Sequence, residues 1–312
     1  MPEPLVSVAV VSYNHAAFIA ACLESLFSQD YPNLEFILAD DASADATVAR
    51  ARAAARKAKR TLKVLTTPRN LGITGNVNRA LAACTGTYVV LIGGDDLAYP
   101  GKVRAQVDAL EARPDAGLCH HDVDVFFTDP AKDGVPFSRQ VPPRGTRAAD
   151  LVRHGNFVAA PSVMVRRAFL PPALPDEVPR SSDWVMNLEA ARRGPLLYLP
   201  RALGAYRKHP QSVTGSGRTR HDEFLTLGYL EATMPEFLRE VRWRRAHLLA
   251  ARGRLAGDAG DGRAAVAYAR AALGLRRRWP PRQLLWLLVA ASGLRRRAWT
   301  RRAAGSAQAR EE

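Results

Sequence analysis

Short apolar runs alternate with longer stretches of mixed apolar and polar residues along the N-terminal third of the chain. Four runs have the length and apolar content of strands: Leu5–Val11, Leu34–Ala39, Leu62–Leu65 and Tyr88–Ile92. The stretches between them have helical spacing or are rich in alanine: Ala17–Phe27, Ala46–Arg60 and Thr74–Cys84. This alternation predicts an α/β fold with a doubly wound, mostly parallel sheet.

The middle of the chain continues with less regular patterns. Pro100–Ala112 is predicted as a helix, Gly117–Val123 as a strand and Leu196–Leu199 as another short strand. Asn156–Val165 is a short apolar stretch that Pro161 interrupts. Thr128–Gly145 holds four prolines and several charges, which predicts a mobile loop.

The pattern becomes helical from about Arg220 onwards. A helix, a glycine-rich turn and a second helix are predicted across Ala246–Leu275. At 312 residues, one large domain with an appendage is the natural division. We therefore predict a sheet-bearing domain over residues 1–219 and a basic helical C-terminal extension over residues 220–312.

The formal charge of +15 would suggest a nucleic-acid-binding protein if it were spread over the chain. Residues 262–310 contain twelve arginines and no acidic residue, so the rest of the chain contributes only +3. Because no nucleic-acid-binding motif accompanies this charge, we expect no nucleic-acid partner. The three cysteines lack metal-type spacing, and no basic segment precedes the first apolar run, so we expect a cytoplasmic protein.

Acidic pairs follow two of the predicted strands. Asp40-Asp41 follows the second strand, and Asp95-Asp96 follows the fourth after two glycines. Ligands of open α/β sheets bind outside the carboxyl ends of the strands, so these acids would meet at one crevice. Adjacent carboxylates there favour a hard divalent cation such as Mg²⁺ or Mn²⁺. A turn or a helix cap after a buried strand is the structural alternative for Asp95-Asp96.

Four motifs in order give the chain a family resemblance. They are Val6–Asn14, Asp40–Ser43, Asn70–Gly72 with Asn78, and Gly94–Asp96. Their order and intervals resemble those of the family 2 inverting glycosyltransferases, which have the GT-A fold and use nucleotide-diphospho-sugars. The resemblance covers roughly residues 5 to 215.

The resemblance implies roles for residues around the crevice. It implies that the nucleotide-sugar is bound by a set of polar side chains: Ser12, Tyr13, Asp40, Asn78 and Asp95. It also implies Mn²⁺ or Mg²⁺ held by Asp95, Asp96 and His209, with Asp41 supporting the loop after the first strand. Many family members carry an acid where this chain has Gly93, which implies weaker metal binding here.

Asp183 opens a predicted helix and has two interpretations. Asp is a common helix-capping residue, so the carboxylate could be structural. The resemblance implies instead that Asp183 is the general base that takes the proton from the acceptor hydroxyl, with Ser182 in place of the usual Glu. It further implies that Thr128–Gly145 is a flap on the acceptor side.

A second hypothesis concerns the C-terminal arginines. Leu284–Ala291 is apolar and lies between Arg276–Arg278 and Arg295–Arg297, with Trp299 close by. This run is too short to cross about 30 Å of hydrocarbon. It is typical of a peripheral anchor on anionic lipid at the cytoplasmic face of a membrane. The alternative is a helix packed on the catalytic domain with solvated arginines.

The residues and the family resemblance together predict a metal-dependent glycosyltransferase, and the resemblance implies that transfer inverts the sugar. Its donor would be a nucleotide-diphospho-sugar, UDP-linked, and its acceptor a hydroxyl of a glycan or a lipid-linked sugar in cell-envelope glycan synthesis. A non-catalytic nucleotide-sugar-binding or membrane-scaffold protein on the same fold is the alternative without catalysis. A sugar-phosphate nucleotidyltransferase is disfavoured, because the chain lacks the glycine-rich basic loop that such an enzyme needs after its first strand.

Overall fold

The computed structural model describes residues 3–127, 129–210, 219–276 and 278–292, without the side chains of residues 219–221 and 281. The chain forms two compact units that divide between Thr226 and Leu227. The predicted boundary between residues 219 and 220 lies at the start of a helix, Thr219–Thr233, which contains this division.

The described part of the first unit contains one mixed sheet of nine strands. The strands are β1 (Val6–Ser12), β2 (Leu34–Asp40), β3 (Lys63–Leu65), β4 (Tyr88–Gly93), β5 (Leu97–Ala98), β6 (Leu118–Phe126), β7 (Val135–Pro136), β8 (Met164–Arg166) and β9 (Leu196–Arg207). Their order across the sheet is β3-β2-β1-β4-β8-β6-β9-β5, and β7 pairs with β6.

The predicted parallel half of the sheet is present with β1 at its centre. Strand β1 pairs in parallel with β2 and with β4, and β2 pairs in parallel with β3. The register places Ser12 opposite Asp40 and Val11 opposite Gly93, so these three strands end side by side. The site residues that follow them are therefore neighbours because of the pairing register.

The other half of the sheet departs from a simple parallel arrangement. Strand β8 pairs antiparallel with both β4 and β6, and β5 pairs antiparallel with β9. Pro161 lies in a short 3₁₀ helix, Ala160–Ser162, so the predicted apolar stretch yields only a three-residue strand. The predicted strand Leu196–Leu199 is the start of the twelve-residue β9, whose pairing with β6 shifts register after Leu199. This irregularity accommodates Pro200, which cannot donate a ladder hydrogen bond.

In the described part of the first unit, seven helices of at least seven residues accompany the sheet, and the last of them continues into the second unit. They are α1 (Ile19–Phe27), α2 (Thr47–Lys57), α3 (Gly72–Ala82), α4 (Lys102–Glu111), α7 (Ala148–His154), α8 (Ser182–Arg193) and α9 (Thr219–Thr233). Helix α1 shows how they join the core: Ile19, Cys22, Leu23 and Leu26 recur at helical spacing and are all fully buried. Burying each large apolar side chain contributes roughly 1.5–3 kcal/mol.

The predicted loop Thr128–Gly145 contains short regular elements within its described residues. They are α5 (Pro130–Asp133), strand β7 and α6 (Phe137–Gln140). Asp129 caps α5, its side chain accepting a hydrogen bond from the Ala131 backbone. Asp122 of β6 accepts hydrogen bonds from the Ser138 backbone and hydroxyl, which fixes α6 against the sheet. The predicted loop therefore carries short helical and strand segments that its sequence pattern did not indicate.

The second unit is helical, as the sequence pattern predicts. Its helices are α10 (Leu238–Asp258), α11 (Gly262–Leu275) and α12 (Pro281–Ala291). Small buried residues on α10 and α11, among them Ala246, Ala250, Ala265 and Ala269, let the two backbones approach closely. Among the described residues, no helix has the length and apolar content to cross a bilayer. Arg295–Arg297 and Trp299, which entered the membrane hypothesis, lie outside the described residues.

Candidate active site

The carboxyl ends of β1 and β2 carry a tightly bonded polar group. The Ser12 hydroxyl donates to Asp40 Oδ1 at 3.0 Å, and the Ser43 backbone donates to Asp40 Oδ2 at 2.9 Å. Asp40 is buried, whereas the neighbouring Tyr13 side chain is 48% exposed. This arrangement leaves the Tyr13 ring accessible to a ligand and holds Asp40 below it in a fixed orientation.

The loops that follow these two strands adopt uncommon backbone conformations. Asn14 and Ala42 have φ values of 54° and 61°, in the left-handed region that non-glycine residues rarely enter. Asn14 stabilises its loop by accepting a hydrogen bond from the Ala44 backbone at 2.9 Å. The carboxylate of Asp41 accepts from the backbone of Leu71 and Gly72, so it supports the loop before α3. The family resemblance implied that Asp41 supports the loop after β1, but its carboxylate supports the loop before α3 instead.

Gly93 accommodates the two acidic residues after β4. A Cβ atom at position 93 would lie 2.6 Å from Asp95 Oδ1 and 3.2 Å from Asp96 Oδ2. Both carboxylates therefore turn back over the glycine. Asp96 is buried, and burial together with the neighbouring Asp95 charge raises the pKa of its carboxyl group well above the usual range. An opposing positive charge would stabilise this pair.

The end of β9 secures the acidic pair. The Arg207 backbone donates to Asp96 Oδ1 at 2.9 Å, and Arg207 Nε donates to the Asp95 carbonyl at 2.9 Å. The guanidinium carbon also lies 4.9 Å from the Phe18 ring centroid and 4.4 Å from that of Phe126. Arg207 is therefore fixed at the end of β9 by hydrogen bonds and ring contacts.

Three side chains of types that can ligate a metal ion, one of them from this pair, converge here. One ligand atom each from His15, Asp95 and His209 lies within 4.8 Å of the other two. His209 Nε2 is 3.0 Å from Asp95 Oδ2, and the His209 ring packs 4.9 Å from Phe18 between centroids. Sequence reasoning included Asp95 and His209 and missed His15, whose imidazole is the one additional donor that the loop after β1 offers.

Asp183 is the second residue of α8 rather than the residue that caps it. The capping position belongs to Ser181, which makes no side-chain cap bond. Asp183 Oδ2 instead accepts a hydrogen bond from Asn156 Nδ2 at 2.8 Å. Burial raises the pKa of the Asp183 carboxyl group to about 6, and the hydrogen bonds that it accepts oppose this rise. A carboxylate of that basicity accepts protons at neutral pH better than an ordinary aspartate.

Asp183 and the acidic pair face a common cavity of about 390 Å³. Its described lining includes Asp95, Asp96, Asn156, Asp183, Trp184, Arg180, Tyr206 and Phe137. The volume is within the range of small-molecule sites. A half-buried carboxylate from the middle of the chain therefore shares one space with the strand-end acids, although Asp183 lies 87 positions after Asp96.

Asn78 has a different environment from the other predicted binding residues. Its Nδ2 donates to the Leu174 carbonyl at 2.9 Å, and its Oδ1 accepts from the Leu174 backbone at 2.8 Å. The side chain therefore holds the segment before α8 against α3. The structure does not place Asn78 in the lining of the cavity described above.

The sheet order, the strand-end acids and the cavity define a GT-A glycosyltransferase fold, which two comparisons with solved structures support. The Staphylococcus aureus protein TarS, solved with UDP, has a TM-score of 0.61 at 17% identity, over 98% of this chain and 92% of that one. The mannosyltransferase PcManGT of Pyrobaculum calidifontis, solved with GDP-Man and Mn²⁺, has a TM-score of 0.61 at 20% identity, over 97% and 84%. The predicted fold class is thus confirmed.

The sequence profile of glycosyl transferase family 2 matches residues 7–170, so this chain belongs to that family. The predicted resemblance and the glycosyltransferase class are confirmed. An uncharacterized protein of Mycobacterium tuberculosis is 30% identical over 227 residues, which are 70% of this chain. The match spans 63% of the length of that relative.

Proposed function

We propose that this protein is a metal-dependent inverting glycosyltransferase that transfers a sugar from a UDP-linked donor to a hydroxyl of a glycan or lipid-linked acceptor. The observation that carries the proposal is the shared cavity, which brings a basic carboxylate, Asp183, together with Asp95 and Asp96. Inversion requires a base on the side of the sugar opposite the leaving diphosphate, and a single carboxylate is sufficient for it.

The donor side would hold the nucleotide through the ends of β1, β2 and β4. In this proposal Tyr13 and Asp40 contact the base or the ribose, with Ser12 and Asn78 contributing hydrogen bonds directly or by holding the loops. Asp95, Asp96 and His209 would hold Mn²⁺ or Mg²⁺. The donor set fits such an ion, because carboxylate oxygens and an imidazole nitrogen lie close together: His209 Nε2 is 3.0 Å from Asp95 Oδ2, and the Asp96 carboxylate lies with that of Asp95 over Gly93. A bound divalent ion supplies charge that stabilises the leaving diphosphate.

The acceptor side would be governed by Asp183. Its carboxylate takes the proton of the attacking hydroxyl while the oxygen forms the new glycosidic bond. Asn156 orients the carboxylate through the 2.8 Å hydrogen bond, and the apolar side chains of Phe137 and Trp184 reduce water around it. Arg180, paired with the buried Asp222 at 3.3 Å, places a positive charge at the same cavity.

A donor screen tests the proposed activity. The purified protein is incubated with UDP-sugars and GDP-sugars, with and without Mn²⁺, and release of the nucleoside diphosphate is measured with candidate glycan acceptors. We expect release that depends on the acceptor and stops on addition of a chelator. Nucleotide-sugar binding without release under any condition would instead support the non-catalytic alternative, and full activity in chelator would contradict the metal requirement.

We also propose that α12 rests on an anionic membrane surface. Leu285 and Leu288 lie one turn apart on this helix and are 65% and 52% exposed. Residues 262–292 contain six arginines and no acid, so the charge around these leucines has the sign that anionic headgroups attract. The three buried free thiols support the proposed position on the cytoplasmic face, where cysteines stay reduced.

A further inference from the structure

His15 lies on the loop that follows β1, close to Asp95 and His209. Its side chain has a ligand atom within 4.8 Å of one from Asp95 and one from His209. The two imidazole rings are edge to face, with centroids 6.4 Å apart. Octahedral or tetrahedral ions with ligand distances of about 2.0–2.2 Å place their donor atoms at most about 4.4 Å apart. Shifts of a few tenths of an ångström would therefore close these three side chains around one ion.

The hydrogen bonding of His15 also points to a missing partner. Within the described part of the chain, His15 Nδ1 is buried and has no hydrogen-bond partner. Gly94 leaves the space for this ring, since a Cβ atom there would lie 3.0 Å from His15 Nδ1. Buried polar atoms are nearly always satisfied, so an orphaned imidazole nitrogen beside two other donors indicates a ligand. The residue before it, Asn14, has a φ of 54°, and the hydrogen bond from the Ala44 backbone to Asn14 Oδ1 stabilises this left-handed conformation of the loop.

We propose that His15 is a metal ligand and that the ion is held by His15, Asp95 and His209, with the donor diphosphate and water completing the site. This inference rests on the proposed function and deepens it. In this arrangement Asp96, whose Oδ1 accepts a hydrogen bond from the Arg207 backbone, supports the site beside Asp95 instead of serving as the third protein ligand. Two imidazole nitrogens favour first-row transition ions over Mg²⁺, which prefers oxygen ligands. The site therefore selects Mn²⁺ over Mg²⁺ and binds Co²⁺ more tightly than Mn²⁺.

Metal titration of the full-length protein tests this assignment without relying on activity. Free Mn²⁺ is followed by its electron paramagnetic resonance signal in the wild type, His15→Ala and His15→Asn, with Mg²⁺ and Co²⁺ as competitors. His154→Ala is the matched control, because it removes an imidazole from α7 outside the site. We expect Mn²⁺ affinity to fall at least about tenfold in both His15 variants and to stay unchanged in the control. The ratio of Mn²⁺ affinity to Mg²⁺ affinity should decrease in the same variants.

Other outcomes overturn the assignment. Unchanged Mn²⁺ affinity in folded His15 variants would exclude His15 as a ligand. If UDP affinity fell while Mn²⁺ affinity did not, the imidazole would contact the diphosphate instead. In both cases the proposed glycosyltransferase would stand. A wild type that binds no Mn²⁺, with or without UDP, would refute the metal site as a whole. Circular dichroism and thermal melting of each variant establish that it is folded.

Discussion

Replacing Asp183 by Asn separates the proposed catalytic role from stability, because a charged carboxylate that is largely withdrawn from water is costly to the fold. The ordinary aspartate pKa is 3.8, and burial raises that of Asp183 to about 6. At about 1.4 kcal/mol for each tenfold change in proton affinity, this difference corresponds to roughly 3 kcal/mol, reduced to about 1–3 kcal/mol by partial exposure. Asn keeps the shape and an oxygen acceptor for Asn156, and it has no charge to bury.

The sign of the effect follows from proton linkage. Between about pH 4 and pH 6 the native protein keeps the Asp183 proton that the unfolded chain has already lost, so the wild type loses stability as pH rises. Above about pH 6 the native protein bears the full free-energy cost of keeping the charged Asp183 carboxylate away from water. We therefore expect the stability advantage of Asp183→Asn to be near zero at about pH 4 and to reach about 1–3 kcal/mol above about pH 6.5.

Catalysis should change in the opposite direction. We expect kcat of Asp183→Asn to fall by roughly 10²–10⁴-fold, while donor binding is retained. The wild-type rate should rise with pH and level off above about pH 6, and the residual rate of the variant should lack this dependence.

Urea unfolding at several pH values and initial rates of nucleotide release measure the two effects. Asp176→Asn, an exposed acid, is the control for removing a charge. Near-normal turnover of Asp183→Asn, or a stability difference that does not change with pH, would refute the reasoning.

Three other predictions test the acidic pair, the orientation of the base and the membrane surface. Asp96→Asn should remain folded and lose metal-dependent transfer by roughly 10²-fold or more, and unimpaired transfer in Mn²⁺ would exclude its role. Asn156→Ala removes a hydrogen bond that lowers the pKa of Asp183, so the rising limb of the pH–rate profile should move to higher pH with a smaller change in the plateau rate; an unmoved limb would contradict this. Replacing Leu285 and Leu288 by Ser should weaken binding to anionic vesicles by roughly tenfold for each leucine, while transfer to a soluble acceptor persists. Sedimentation with vesicles at increasing salt concentration measures this binding, and a wild-type protein that does not bind anionic vesicles at low salt would refute the membrane proposal.

The parallel half of the fold could be read from the sequence because each of its strands is a self-contained apolar run. Strands β1 and β4 end at residues whose polarity changes abruptly, so the placement of Asp95 and Asp96 follows from the pattern alone. The antiparallel half of the sheet was harder to predict from the sequence. Strand β8 has only three residues, and β9 continues past Pro200 through a register shift that no local pattern announces.

In the candidate site, too, features that depend on nearby residues could be predicted from the sequence, and features that depend on tertiary contacts could not. Asp183 could be identified as a candidate because the family resemblance implies a general base at the start of this helix. Its raised pKa could not, since burial and the bond to Asn156 depend on tertiary packing. His15 was missed because a single histidine in a polar loop does not indicate a metal site by itself. The fold brings it close to His209, 194 positions later in the chain, and only that proximity suggests a shared ligand.

The way in which α6 is attached has a consequence for how the family diversifies. Helix α6 brings Phe137 to the cavity wall, and it is attached to the sheet through the two-residue strand β7 and the bonds to Asp122. The donor residues, in contrast, depend on the register of β1, β2 and β4, where the shift of one residue would turn every side chain to the opposite face. Insertions and substitutions between β6 and α7 can therefore change the proposed acceptor side of the cavity without altering the register of β1, β2 and β4. We expect acceptor preference to evolve by replacement of this segment, while the proposed donor-binding residues keep their positions.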